Sequence, residues 1–475
     1  MSAEKNFDWD SYEAPSYKAP TRFGGLFVVT EAITKRLPYP MRVLAWSGGI
    51  KDPMFAPPSF EVYNGVRIYR PDEGMMVEKH GRYGEEYKVS KVYGRRELTD
   101  SEIAMSIKAV FGHVGIEYLD NVHYSALLQL GSYGKSILNY SLAIPEYPDS
   151  TVKISNDWHA ILGGYVSTRI INPKIPWCVF IHSDEPSRIG GISHRGNVVS
   201  EEYCNGRYAG SRMIRDLEMV GVKGADLVLT PSKLMVEELK FLAKEHGISK
   251  EQLDKIFPVY HGVETKVYKP IEVERPKKRR LFYVGRLTRV KGVDFLIEIY
   301  RILKTEFQNL ELKLVGDGEL KPQIEKLRET IPDLILDTNW LSSDRKVEEM
   351  NKASICVFPS LYEPSGQTHF ESMACQRPTV IGNGGWREHT VDGKTAVWID
   401  PRDPKKAADK IRNLLTNENL AEEIARNGRE SVVKLYDWDE VVRRAYPLIF
   451  ESLLSGDIER LKDHENDLCP KPTYD

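Results

Sequence analysis

The stretch ICVFPSLYEPSGQTHFESMACQRPTVI (355–381) decides how this chain is read. Its first four residues, 355–358, are apolar and too few for a helix, so they read as a buried strand. The strand runs into a Pro/Ser/Gly turn, and a helix starts near Gly366. Similar short runs rich in Val, Ile, Leu or Phe recur on both sides: MRVLAWS (41–47), TVKIS (151–155), WCVFIH (177–182), DLVLT (226–230), RLFYVG (280–285) and LELKLVG (310–316). Between many of them lie helical patterns such as SKLMVEELKFLAKEHG (232–247) and GVDFLIEIYRILKTEF (292–307). Buried strands alternating with helices predict an α/β fold with parallel, doubly wound sheets. Such sheets bind ligands at the carboxyl ends of their strands.

A chain of 475 residues exceeds one ordinary core, so two such domains are expected. The polar segment VETKVYKPIEVERPKKRR (263–280), broken by Pro270 and Pro276, marks the boundary. The expected division is 1–265, 266–436, and a helix with a polar, fraying tail over 437–475. The basic run 277–280 reads as a solvated linker entering a strand. FEVYNGVRIY (60–69) reads as a hairpin turning at Asn64-Gly65.

Within the 355–381 stretch, the backbone N–H groups of Gly366, Gln367 and Thr368 would open a helix and offer an anion site suited to a diphosphate. Glu363 in the preceding loop can face a sugar, and Glu371, just over a turn inside, can accept from a ribose. FYVGRLTRVKG (282–292) adds Arg286 and Lys291 on the loop after a strand, where two cations can clamp a diphosphate. LVGDGEL (314–320) is a tight turn that lets another chain or a ligand approach. His159 follows one predicted strand and His182 ends another, so both can point toward strand ends. No Walker A sequence occurs.

The remaining composition excludes other classes. A formal net charge of −3 calls for neither nucleic acid nor an acidic membrane surface. Five scattered cysteines without C-x-x-C spacing suit a reducing cytoplasm rather than a disulfide framework or zinc site. The first twenty residues have no apolar core of a signal peptide, and no run of about 18 apolar residues predicts a membrane span. Asp437-Trp438-Asp439 spells D-x-D, but with Glu440 it reads as a helix-capping box.

Together these segments resemble the retaining glycosyltransferases of the GT-B fold, especially the glycogen/starch synthase type. The resemblance runs over roughly 150–455. Ser155-Asn156-Asp157-Trp158-His159 resembles the family's Asp-Trp-His turn, and Val259–Glu264 (VYHGVE) the exit from the first domain. Gly285-Arg286-Leu287-Thr288 through Lys291-Gly292 resembles the diphosphate clamp, Glu363-Pro364-Ser365-Gly366 through Glu371 the paired-glutamate motif, and Gly384-Gly385 with Asp392-Gly393 the next loop and turn. Arg22-Phe23-Gly24-Gly25-Leu26 resembles the Lys-x-Gly-Gly-Leu loop, with Arg in place of Lys. Residues 1–21 carry no apolar run like the strand that precedes this loop in the family.

The resemblance implies two Rossmann-like domains facing across a cleft, with the second holding the nucleotide sugar. It assigns Glu363, His159, Arg286 and Lys291 to the reacting centre. It places Arg22, Gly24, Gly25, His182, Gly366, Gln367, Thr368 and Glu371 around the donor. It implies no metal and no cofactor besides the donor, ADP- or UDP-glucose. The favoured expectation is transfer of glucose to the non-reducing end of an α-glucan. Tyr63, Tyr69, Tyr83, Tyr87, Tyr93, Tyr118, Tyr124 and Tyr133 offer faces for stacking on sugar rings. The alternatives are a retaining transferase with a small sugar, lipid or other acceptor, and a non-catalytic nucleotide-sugar binder.

Overall fold

The computed structural model describes residues 152–183 and, apart from 245 and 340, residues 208–472. It also describes 100–117, 192–193, 196–197 and short segments between 32 and 94. The chain divides into two compact units, Met1–Trp177 with Arg212–Gly224, and Cys178–Ser211 with Ala225–Asp475. The 265/266 position falls inside the second unit, between its two parallel sheets.

In the first unit, Phe60–Tyr63 pairs antiparallel with Val66–Tyr69, and Tyr63 lies opposite Val66. This is the two-residue hairpin that Asn-Gly encodes. Further on, the strand Lys153–Asn156 passes directly into the helix Asp157–Tyr165, which continues as a π-helical turn over Val166–Ile171. Trp177 Nε1 donates to Ser155 Oγ at 3.0 Å, and Arg169 Nε donates to Gly224 O at 2.7 Å. The buried Trp177 thus has its one polar atom satisfied.

The second unit begins with three parallel strands, Trp177–Phe180, Leu227–Thr230 and Ile256–Pro258. The first two are buried along their whole length, which is why they read as continuous apolar runs. The helix Lys233–Lys244 joins the second strand to the third and buries Leu234, Met235, Leu239 and Leu242.

The other sheet has six strands, all parallel. In spatial order they are Leu334–Asp337, Leu310–Val315, Arg279–Val284, Ile355–Phe358, Thr379–Ile381 and Val397–Trp398. In chain order this is 3-2-1-4-5-6, so the winding reverses between Arg279–Val284 and Ile355–Phe358. The fold is therefore α/β on two parallel sheets, as the alternation of strand and helix predicts.

Three local expectations change. The basic run 277–280 is not simply solvated. Arg280 is half-buried, with Nε 2.6 Å from Glu311 Oε1 and Nη1 3.0 Å from Glu349 Oε2, and Lys313 Nζ lies 2.7 Å from the same Glu349 oxygen. Strand formation brings these charges together from positions 69 apart in sequence. Asp437 caps the helix Trp438–Ser455 by accepting from Asp439 N at 2.8 Å, and it also accepts from Thr265. The box with Glu440 does not form, because Glu440 pairs with Arg443 instead. The tail is packed as far as Pro470, and its last three residues, 473–475, lie outside the described residues. Tyr260 N donates to Leu468 O, Cys469 Sγ to Pro258 O and Tyr436 OH to Pro470 O, while Leu461 and Leu468 are buried.

The chain that approaches the Gly-Asp-Gly turn is its own. A Cβ on Gly316 would stand 2.0 Å from Gly285 O, and Leu287 N donates to Asp317 O at 2.9 Å.

Candidate donor site at the strand-order reversal

The crevice expected of such a sheet lies beyond the carboxyl ends of the two strands where winding reverses. Two loops fill that position. The first leaves Arg279–Val284 and carries Arg286 and Lys291. The second leaves Ile355–Phe358 and carries Glu363 through Thr368. Leu361 N donates to Val290 O at 2.9 Å, so the loops are joined backbone to backbone. Gly292 has φ 66°, and a Cβ there would stand 2.0 Å from Pro359 O. Only glycine allows this approach.

The two loops bring Lys291 and Glu363 into a direct ion pair, with both side chains mostly buried. Arg286 stays exposed, and its carbonyl accepts from the Tyr283 hydroxyl at 2.7 Å. Burial, then the Glu363 carboxylate, pushes the Tyr283 phenol far above its ordinary range, so it acts as a neutral donor. Glu363 O accepts from Gly385 N at 2.7 Å, which anchors the turn to the Gly384-Gly385 loop.

The following helix opens at Thr368 rather than near Gly366. Gly366 takes a left-handed φ of 75° and belongs to the turn. Gln367 precedes the helix and makes no side-chain cap bond.

Glu371 is buried. Lys346 Nζ lies 2.6 Å from its Oε1, while its Oε2 has no hydrogen-bond partner among the described residues. Thr288 Oγ1, Asp294 Oδ1, Ser365 Oγ and Gln367 Nε2 are also buried and unpartnered. Unpaired buried polar atoms are uncommon in folded proteins, so their gathering on these loops and the elements they open marks a place built for polar contacts.

His182 lies two residues beyond the Trp177–Phe180 strand. It stacks on Phe180, and its Nδ1 lies 3.2 Å from His261 Nε2. His159 is the third residue of the Asp157–Tyr165 helix in the first unit, and Asp157 at its start has φ 57°. Arg22, Gly24, Gly25, Tyr83, Tyr87, Tyr118, Tyr124 and Tyr133 lie outside the described residues. Tyr63, Tyr69 and Tyr93 fall on described strands.

Sequence reasoning missed a buried group behind these loops. His369 and His389 are fully buried and stack at 5.5 Å between ring centroids, with Phe370, Tyr260 and Tyr436 around them. None of their four ring nitrogens has a partner among the described residues. Burial pushes His369 down to about 3 and holds His389 well below its ordinary range. Glu388, next in the chain, accepts from Lys233 N at 2.8 Å, Leu234 N at 2.7 Å and the Tyr260 hydroxyl at 3.0 Å. It caps a helix some 155 positions earlier, and no local pattern signals that.

The family model described as glycosyl transferases group 1 matches residues 264–431, which contain both loops. Curated relatives match over longer stretches of the chain. An uncharacterized glycosyltransferase of Methanocaldococcus jannaschii is 28% identical over 290 residues, 57% of this chain and 68% of that protein. A glycogen synthase of Mycobacterium tuberculosis is 27% identical over 247 residues, 50% of this chain and 58% of the synthase. Among solved structures, sucrose-phosphate synthase from Thermosynechococcus elongatus superposes with a TM-score of 0.62. It covers 91% of this chain and 94% of its own at 18% identity, and so shares the fold. Among the described residues, no helix is long and apolar enough to cross a membrane.

Proposed function

We propose that the chain is a retaining glycosyltransferase that moves glucose from ADP- or UDP-glucose to the non-reducing end of an α-glucan in the cytoplasm. The observation that carries the donor half of this reading is the Lys291–Glu363 pair at the strand-order reversal, inside the glycosyl transferase region. A nucleotide sugar offers each member a better partner. The diphosphate takes Lys291, with Arg286 free to swing in from solvent, and the sugar hydroxyls donate to Glu363. Glu371 Oε2, buried without a donor, takes a ribose hydroxyl.

As the anomeric bond breaks, negative charge grows on the leaving diphosphate. Fixed cations already in place stabilise that charge without reorganising. We assign no protein nucleophile. In this reading the counter-charge comes from side chains, so turnover should survive chelation. Lost activity that Mg²⁺ or Mn²⁺ restores would refute that part. The choice of α-glucan rests on the Gly-Gly-Leu and Asp-Trp-His resemblance.

The test offers a maltooligosaccharide with each donor and follows mass and anomeric couplings. Growth in single-glucose steps with new α linkages is expected. No elongation with either donor, beside clear transfer to a small non-glucan acceptor, would reject the glucan reading.

A further inference from the structure

Glu371 is held by a residue that no sequence motif marks. Lys346 projects from the helix Ser343–Lys352, and its Nζ reaches Glu371 Oε1 at 2.6 Å. The same ammonium lies 5.2 Å from the centroid of the Tyr268 ring, so it is confined between a carboxylate and an aromatic face. The Tyr268 phenol stays un-ionised, through burial first and then the charge of Glu371 and a hydrogen bond toward its carboxylate, so no second anion competes for Lys346 there. A purely structural tie between the helices Ser343–Lys352 and Thr368–Ala374 would be best served by satisfying both carboxylate oxygens. Here one oxygen is taken, and the other is buried without a partner among the described residues. Leaving a buried carboxylate oxygen unpaired is costly unless something else donates to it.

We propose that Lys346 is a positioning residue. It holds Glu371 as a carboxylate in one rotamer, so that Oε2 is presented to the ribose hydroxyls of a nucleoside diphosphate. Lys346 itself does not touch the nucleotide. Its effect is selectivity for ribose over deoxyribose at that oxygen. The inference rests on the donor-site reading above and adds to it the group that fixes the ribose acceptor.

The experiment measures Kd by calorimetry for ADP and UDP and for their 2′-deoxy and 3′-deoxy counterparts. It compares the unmodified chain with Lys346→Met, Lys346→Arg and Glu371→Gln. The unmodified chain should bind the better ribonucleotide about tenfold or more tighter than at least one deoxy form, the scale of a hydrogen bond to a charged acceptor. Lys346→Met should bring that ratio close to one by weakening the ribonucleotide alone, as Glu371→Gln does. Lys346→Arg should keep most of it. Should Lys346→Met not fold, Lys346→Gln carries the same comparison. A full ratio retained in the folded Met or Gln variant overturns the positioning role alone. So does a variant that weakens ribo and deoxy forms equally. No binding of either nucleotide to the unmodified chain overturns the donor-site reading, and the proposal with it.

Discussion

Arg286 and Lys291 are five positions apart on one loop and sit in opposite surroundings. Arg286 is exposed, while Lys291 is mostly buried against Glu363. Substituting Arg286 by Ala should therefore lower turnover by about 2–4 kcal/mol of transition-state stabilisation, the scale of a lost preorganised donor. Its thermal midpoint should stay within the range of ordinary surface changes. Lys291→Ala should lose turnover similarly and some stability as well, because Glu363 is left half-buried without its cation. Wild-type kcat/KM in both variants would remove them from the donor site. Gly292→Ala is a stability test of the loop junction. It combines a left-handed backbone with a Cβ 2.0 Å from Pro359 O, and should cost about 3 kcal/mol or more in urea unfolding. A variant as stable as the parent would show that the two loops are not in contact there.

At the scale of elements, the helix Lys233–Lys244 takes its N-terminal cap from Glu388 on the far side of the sequence. Removing the carboxylate leaves two backbone N–H groups and the Tyr260 hydroxyl without their acceptor. Glu388→Ala should cost about 2–4 kcal/mol, adding a lost cap to a buried orphan, and Glu388→Gln about half of that. Equilibrium denaturation of the three proteins checks this, and equal midpoints would sink it. Strands and helices themselves were legible because each obeys its own period: 355–358 and 227–230 are short, apolar and buried throughout. The sequence pattern places the start of the Thr368–Ala374 helix two residues early, because a left-handed Gly366 looks the same in sequence as a glycine opening a helix.

For the molecule as a whole, three buried histidines among the described residues make stability depend on pH. His261 and His369 are pushed down to about 3 by burial, and His389 is held low by burial, then by its neighbours His369 and His261. In the unfolded chain each titrates near 6.5. Between those limits the unfolded state binds more protons than the folded one, so stability rises with pH and is lost as pH falls below about 6.5. Three such groups set an upper bound of about 4 kcal/mol per pH unit. The urea midpoint should fall steeply from pH 7 to pH 5, and His369→Phe should flatten the slope. A midpoint that does not move over that range would contradict the neutral buried cluster.

What the sequence determined by itself was everything carried by local period and by motif order: the parallel α/β layers, the Asn-Gly hairpin, the two loops after strands at 285–292 and 359–367, and the residues Lys291, Glu363 and Glu371 on or beside them. What only the tertiary structure decided was which of those groups meet. Lys291 and Glu363 are 72 positions apart, Lys346 and Glu371 are 25, and Tyr260 and Glu388 are 128. A carboxylate in a loop reads the same in sequence whether it faces water, a lysine or a helix end. Its partner is set by strand order and by backbone approach at glycines such as Gly292 and Gly316, and those exist only once the sheet has formed.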